Sequence, residues 1–141
     1  MNKPKISGNV IVIPSDAVYI AAVDEFIENK LEEIKLSKSV KADIAISVSE
    51  IVNNAILHGN SCDVNKKVTV KINIRKDEVE ITIRDQGKGF NLDVIPNPIE
   101  KSNLLERVGR GIFIVRSLMD SVDFNFTSAG TEVVIKKRIK D

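Results

Sequence analysis

The sequence has no tryptophan, a single cysteine, a single histidine and almost no excess of charge, with a formal net of +1. Each scarcity removes a class of function. Cys62 alone closes no internal disulfide, and with only His58 beside it the chain cannot complete the tetrahedral ligand set of a structural zinc site. Aromatic residues make up 4% of the chain, too few for a base-stacking platform, and the near-neutral balance gives no drive toward a polyanion; no direct nucleic-acid partner is expected. The basic end, KKRIK at 136–140, fits a final strand with its polar face in water. No apolar run approaches the roughly 20 residues that span a bilayer. The amino-terminal stretch carries only a short apolar patch, well below the core of a signal peptide. A cytoplasmic protein without membrane contact is therefore expected. What remains is an ordinary globular composition, 43% apolar and 29% charged, in 141 residues, which fits one domain over 1–141.

Hydrophobic spacing orders the chain. Residues 9–13 (NVIVI) are β-branched and stop at Pro14, as a short strand does. Its apolar residues Val10 to Ile13 fit either internal strand pairing or an edge that seeks a second copy. Ser15 and Asp16 can cap a helix to about Leu36, with Val18, Ala22, Phe26, Ile27, Leu31 and Ile34 at helical spacing. A second helix starts near Ser37 or Ser39, carries Ile44, Val48, Ile51 and Ala55 on one stripe, and stops at Gly59-Asn60. Residues 68–75 and 79–84 alternate strictly around Lys76-Asp77, forming a hairpin with one face buried. A Gly-punctuated loop, Asp85-Gln86-Gly87-Lys88-Gly89, follows directly. Residues 91–108 hold two prolines and no sustained period, the pattern of a mobile connection. Gly109-Arg110-Gly111 opens a third helix with Ile112, Val115, Leu118 and Met119 inward, and strands near 121–126 and 131–139 close the chain. This order predicts an α/β two-layer sandwich, with helices on one face of a mixed, mostly antiparallel sheet.

Three groups of residues could carry chemistry. Glu50, Asn54 and His58 recur four apart on the second helix, with Asn53 beside them, so they share a side. A solvated face would account for them, except that paired asparagines are poor helix formers. Asp85-Gln86-Gly87-Lys88-Gly89 alone fits a turn. Gly109-Arg110-Gly111 at a helix start offers free N–H groups to a phosphate, but without a leading strand or third glycine it is not the dinucleotide fingerprint.

Taken in order, E-x-x-N-N-x-x-x-H-G, D-x-G-x-G, G-x-G and Gly130-Thr131 resemble the N, G1, G2 and G3 boxes of the ATPase superfamily that includes DNA gyrase and histidine kinases, whose nucleotide-binding domain has the Bergerat fold. The small size and spacing are similar to one branch, bacterial anti-sigma factors that are also serine kinases. The stretch Glu106 to Gly111 is similar to that branch's lid end.

The resemblance implies ATP and Mg²⁺ as cofactors. Asp85 would accept a hydrogen bond from the adenine amino group, Gly87 and Gly89 would admit the base close to the backbone, and Thr131 would offer a hydroxyl nearby. Asn54 would hold Mg²⁺ and Glu50 would take the proton from an attacking hydroxyl. Gly109 and Gly111, with the helix they open, would cradle the phosphates, Arg107 would neutralise charge on the γ-phosphoryl group, and 91–108 would be the lid. Asn53 would contact nucleotide or sheet edge, and Arg110 stands where that branch has an apolar residue. The implied partners are an anti-anti-sigma (STAS-type) protein as substrate, a sigma factor, and a second copy in a homodimer. Two other functions fit the same motifs. One is a nucleotide-gated protein-binding switch without phosphoryl transfer, and the other is the ATP-binding domain of a histidine-kinase-type system. A complete histidine kinase needs a phosphorylatable histidine elsewhere, and the only one, His58, lies inside the motif.

Overall fold

The computed structural model describes residues 3–87 and 98–139, with the side chains of 98–105 and 107 outside the description. Its strands are β1 (Lys5–Ser7), β2 (Val10–Pro14), β3 (Lys67–Ile74), β4 (Glu78–Arg84), β5 (Ser121–Thr127) and β6 (Gly130–Arg138). Three helices, α1 (Ile20–Leu31), α2 (Lys38–Asn54) and α3 (Pro98–Leu118), join them. The sheet order is β1-β2-β3-β4-β6-β5.

The mostly antiparallel sheet that was expected is antiparallel in every pairing among the described strands. The connection between β2 and β3 explains why. A single crossover helix would deliver a parallel strand, but α1 and α2 take the chain out and back, so Lys67 enters opposite Pro14 at the end where β2 left. Paired on both sides, β2 is an internal strand, and β1 is the strand at that edge of the sheet.

The hairpin alternation sets the core. Val68, Val70 and Ile72 of β3 and Val79, Ile81 and Ile83 of β4 are buried, in one cluster with Ile27 of α1, Ile44, Val48 and Ile51 of α2 and Val115 of α3. Each such side chain contributes about 1.5–3 kcal/mol by leaving water. The intervening residues form an outer face laced by the pairs Arg84 with Glu132 and Lys136 with Glu80. Lys137 departs from the expected solvated basic end. The alternation turns it to the helix layer, where Nζ donates to the Leu118 carbonyl at 2.6 Å and pairs with Asp43 at 3.2 Å. A cation there satisfies the carboxyl end of α3 and ties β6 to α2.

Two helices differ from their expected extents. Asp16 does cap, accepting from Val18 N–H at 3.0 Å, but Ala17–Tyr19 form a 3₁₀ turn that leaves Val18 69% exposed. The α-helix then ends at Leu31 rather than near Leu36. Ser37 caps α2 through Val40 N–H at 3.1 Å, as expected.

The larger correction concerns α3. It begins at Pro98, so Gly109-Arg110-Gly111 lies inside the helix rather than opening it, and the second half of the expected lid is helical. Proline suits the first helical position, and the run Glu100 to Arg107 consists largely of good helix formers. Two glycines weaken such a helix without stopping it.

Among the described residues one buried side-chain group, the hydroxyl of Ser47 on α2, has no hydrogen-bond partner. Because an unsatisfied buried polar group costs about 1–3 kcal/mol, Ser47→Ala should stabilise the fold by about 1 kcal/mol, raising the thermal midpoint by about 3 °C. Thermal denaturation followed by circular dichroism would check this.

Candidate nucleotide site

The polar stretch at the end of α2 changes pitch where it reaches the sheet. Glu50, Asn53 and Asn54 sit on regular α-helix, whereas Ala55–Gly59 form a π turn closed by Asn60 N–H on the Ala55 carbonyl at 2.8 Å. Single π turns at helix ends recur at functional sites. His58 falls in that turn, outside the regular four-residue spacing that aligns Glu50 with Asn54. All four side chains are half-buried.

Asp85 leaves the end of β4 and is held on one side only. Its Oδ1 accepts from Gly87 N–H at 3.0 Å and from Thr131 N–H at 3.1 Å, while its own N–H donates to the Thr131 carbonyl at 3.0 Å. Among the described residues Oδ2 accepts no hydrogen bond. It lies against Gly59, where an added Cβ would sit 2.2 Å from it. The backbone is equally close on the other side of the loop: a Cβ on Gly87 would meet the Gly59 carbonyl oxygen at 1.6 Å.

Asp85, Asn54, Thr131 and Gly59 open on one cavity of about 330 Å³. Ile51, Ala55, Ile83, Val133 and Phe124 make its walls apolar, with Val108, Ile112 and Arg116 of α3 across it. An apolar cavity lined by a carboxylate with one oxygen left to accept suits a heteroaromatic base bearing an amino group.

The other expected residues are distributed less simply. Glu50 does not line this cavity; it lines a groove between α1 and α2 together with Asp24, Ile46 and Ser49. Gly111 joins the two regions, since a Cβ there would meet Glu50 Oε2 at 3.0 Å and Asn54 Nδ2 at 3.7 Å. Gly109 and Arg110 are exposed on α3, and Asn53 lines neither space. Gly89, Lys88, residues 91–97 and the Arg107 side chain lie outside the described residues.

Asn60 and Gln86 carry no site role in the sequence reading. Asn60 is legible there only as part of a turn after Gly59, yet it is fully buried and bonds to three segments. Gly130 was recognised by its motif and has a physical reason. At φ +147 its Cα packs on the Asp85 carbonyl oxygen, and an added Cβ would stand 2.0 Å from it. Gly130→Ala is therefore expected to cost about 3 kcal/mol from backbone strain and displacement of Asp85. Urea denaturation would measure the loss.

The family model of the histidine kinase-like ATPase domain matches residues 13–137 of this chain. The anti-sigma F factor of Clostridium perfringens (strain SM101 / Type A) is 39% identical over 100 residues, 69% of this chain and 71% of that protein. The anti-sigma F factor of Geobacillus thermodenitrificans is 36% identical over 87% of this chain and 79% of that protein. The chain belongs to the histidine kinase-like ATPase family, on its anti-sigma factor branch. Serine-protein kinase RsbW of Oceanobacillus iheyensis is 25% identical over 92% of this chain and 85% of that protein. In structure, the RsbU and RsbW domains of a Mycobacterium tuberculosis protein match 96% of this chain with a TM-score of 0.67 at 19% identity. This chain spans 34% of that polypeptide, so the likeness bears on the fold.

Proposed function

We propose that the protein binds Mg-ATP in the Asp85 cavity, phosphorylates a serine on a small anti-anti-sigma (STAS-type) partner, and sequesters a sigma factor, working as a homodimer in the cytoplasm. The observation that carries the reading is the half-satisfied Asp85 carboxylate. Two backbone N–H groups fix Oδ1, and Oδ2 remains to accept from an amino group at the end of an apolar cavity. Thr131 lines the same end. Mg²⁺, which keeps water and phosphate oxygens as most of its ligands, would take the Asn54 amide oxygen from the chain. Bound Mg-ATP supplies the phosphoryl group and the charge neutralisation its transfer requires.

The remaining roles follow from position. Glu50, one helical turn before Asn54, would remove the proton from the partner's serine hydroxyl as that oxygen bonds to the γ-phosphorus and the bond to the β,γ-bridging oxygen breaks, leaving ADP. Gly111 approaches both Glu50 and Asn54 and keeps this corner free of side chain. Arg107, Gly109 and Arg110 would face phosphate once the first half of α3 is rearranged. Asn53 and Gly89 would make secondary nucleotide contacts.

A second reading, a nucleotide-gated switch without transfer, draws on the same structure. Glu50 lines the outer groove instead of the cavity, and α3 runs unbroken through the expected phosphate loop. Incubating the protein with Mg-ATP and a STAS-type partner and following phosphoserine by mass spectrometry separates the two. Phosphoserine supports the kinase; nucleotide binding without it supports the switch. No rise in melting temperature with Mg-ATP or Mg-ADP would refute both.

A further inference from the structure

Asn60 is 0% exposed and every polar atom of its side chain is engaged. Nδ2 donates to Ser15 Oγ at 2.8 Å and to the Lys67 carbonyl at 3.0 Å, and Oδ1 accepts from Gln86 N–H at 2.7 Å. Ser15 in turn donates to the Lys66 carbonyl at 2.6 Å, and Gln86 Oε1 accepts from Lys67 N–H at 2.6 Å. One amide thus gathers the end of β2, the start of β3 and the loop after β4. Holding it there strains the chain, because the next two residues, Ser61 and Cys62, adopt left-handed φ angles of 52° and 58°.

The bond to Gln86 N–H reaches the site. That N–H belongs to the peptide plane whose carbonyl is Asp85's, and Gly130 packs on the carbonyl oxygen of the same plane. Asn60 holds one side of the plane and Gly130 the other, which sets where the Asp85 side chain starts and hence where Oδ2 points. The geometry points to Asn60 as a positioning residue for base selection: by fixing the Asp85–Gln86 peptide it aims Oδ2 at a 6-amino group and against a 6-oxo group. This rests on the reading of Asp85 as the base acceptor. Adenine offers a donor at that position and hypoxanthine an acceptor, so a well-aimed carboxylate oxygen attracts one and repels the other. With the peptide free to tilt, both the attraction and the repulsion diminish.

A purely structural Asn60 would close the strand ends and leave base preference alone. Mg-ATP and Mg-ITP affinities measured by calorimetry on the full chain, below each variant's melting temperature, distinguish the two. Ser15→Ala removes one acceptor of Asn60 Nδ2 and keeps the Gln86 contact, so it should lower the melting temperature with the ATP:ITP ratio within about twofold of wild type. Asn60→Ala should reduce that ratio by at least about fivefold. Asn60→Asp retains an oxygen for Gln86 N–H and should restore it to within about threefold. If Asn60→Ala is too unstable alone, trimethylamine N-oxide favours the folded state without supplying the lost bond. A folded Asn60→Ala with the wild-type ratio, or Ser15→Ala and Asn60→Ala lowering it equally, would overturn the assignment. Wild type that binds ATP and ITP equally would instead remove the reading of Asp85 itself.

Discussion

Glu50→Gln should lower phosphoryl transfer to the partner serine by about 10²–10⁴-fold, the usual contribution of a positioned general base, while Mg-ATP affinity changes by less than about threefold. The substitution keeps the shape of the side chain while removing its negative charge and its capacity to accept a proton. Glu50 is half-buried beside Gly111 and among the described residues makes no ion pair, so no structural bridge is lost. Single-turnover transfer with radiolabelled ATP, set beside calorimetric affinity, would show the split. Equal transfer by variant and wild type would remove Glu50 as the base.

Asp85→Asn should weaken ATP binding by about 30- to 150-fold, or about 2–3 kcal/mol, the range for a hydrogen bond to a charged group. Gly87 and Thr131 both donate to Oδ1, so the new side chain must keep its oxygen on that side. Its NH₂ then replaces Oδ2 and meets the adenine amino group donor against donor. Stability should change little, because the two backbone bonds survive. Titration calorimetry with ATP would give the affinity, and unchanged binding would refute the adenine-recognition role.

The parts of the fold legible in advance were those where periodicity determines burial. In β3 and β4 a side-chain period of two leaves one arrangement that buries Val70, Ile72, Ile81 and Ile83 together, and the structure has it. β1 was not legible, since Lys5–Ser7 is three exposed residues with no period to detect. Ile34 continues the helical spacing and so predicts a longer α1, though Glu33 and Ile34 make only the hydrogen bonds of turns, to Lys30 and Leu31. Gly109-Arg110-Gly111 suggested a helix start because glycine punctuates chains; the flanking helix formers decide otherwise. At the site, Asp85 and Asn54 were visible as motif residues and converge on one cavity. Asn60 was not, because its role depends on Ser15, Lys67 and Gln86, which only the folded chain brings within reach.

The unbroken course of α3 sets a condition on nucleotide binding. Within a continuous helix the N–H groups around Gly109 and Gly111 bond to carbonyls of the preceding turn, so a triphosphate bound there as proposed would compete with the helix for the same donors. Each glycine lowers helix stability by about 1 kcal/mol relative to alanine, which makes this the easiest turn to unwind. Apparent affinity for the triphosphate then equals intrinsic affinity scaled by the fraction of molecules in which the turn is already open. A partner protein that grips or releases the exposed outer side of α3 at Phe113 and Ile114 would alter that fraction, adjusting nucleotide occupancy without touching the cavity.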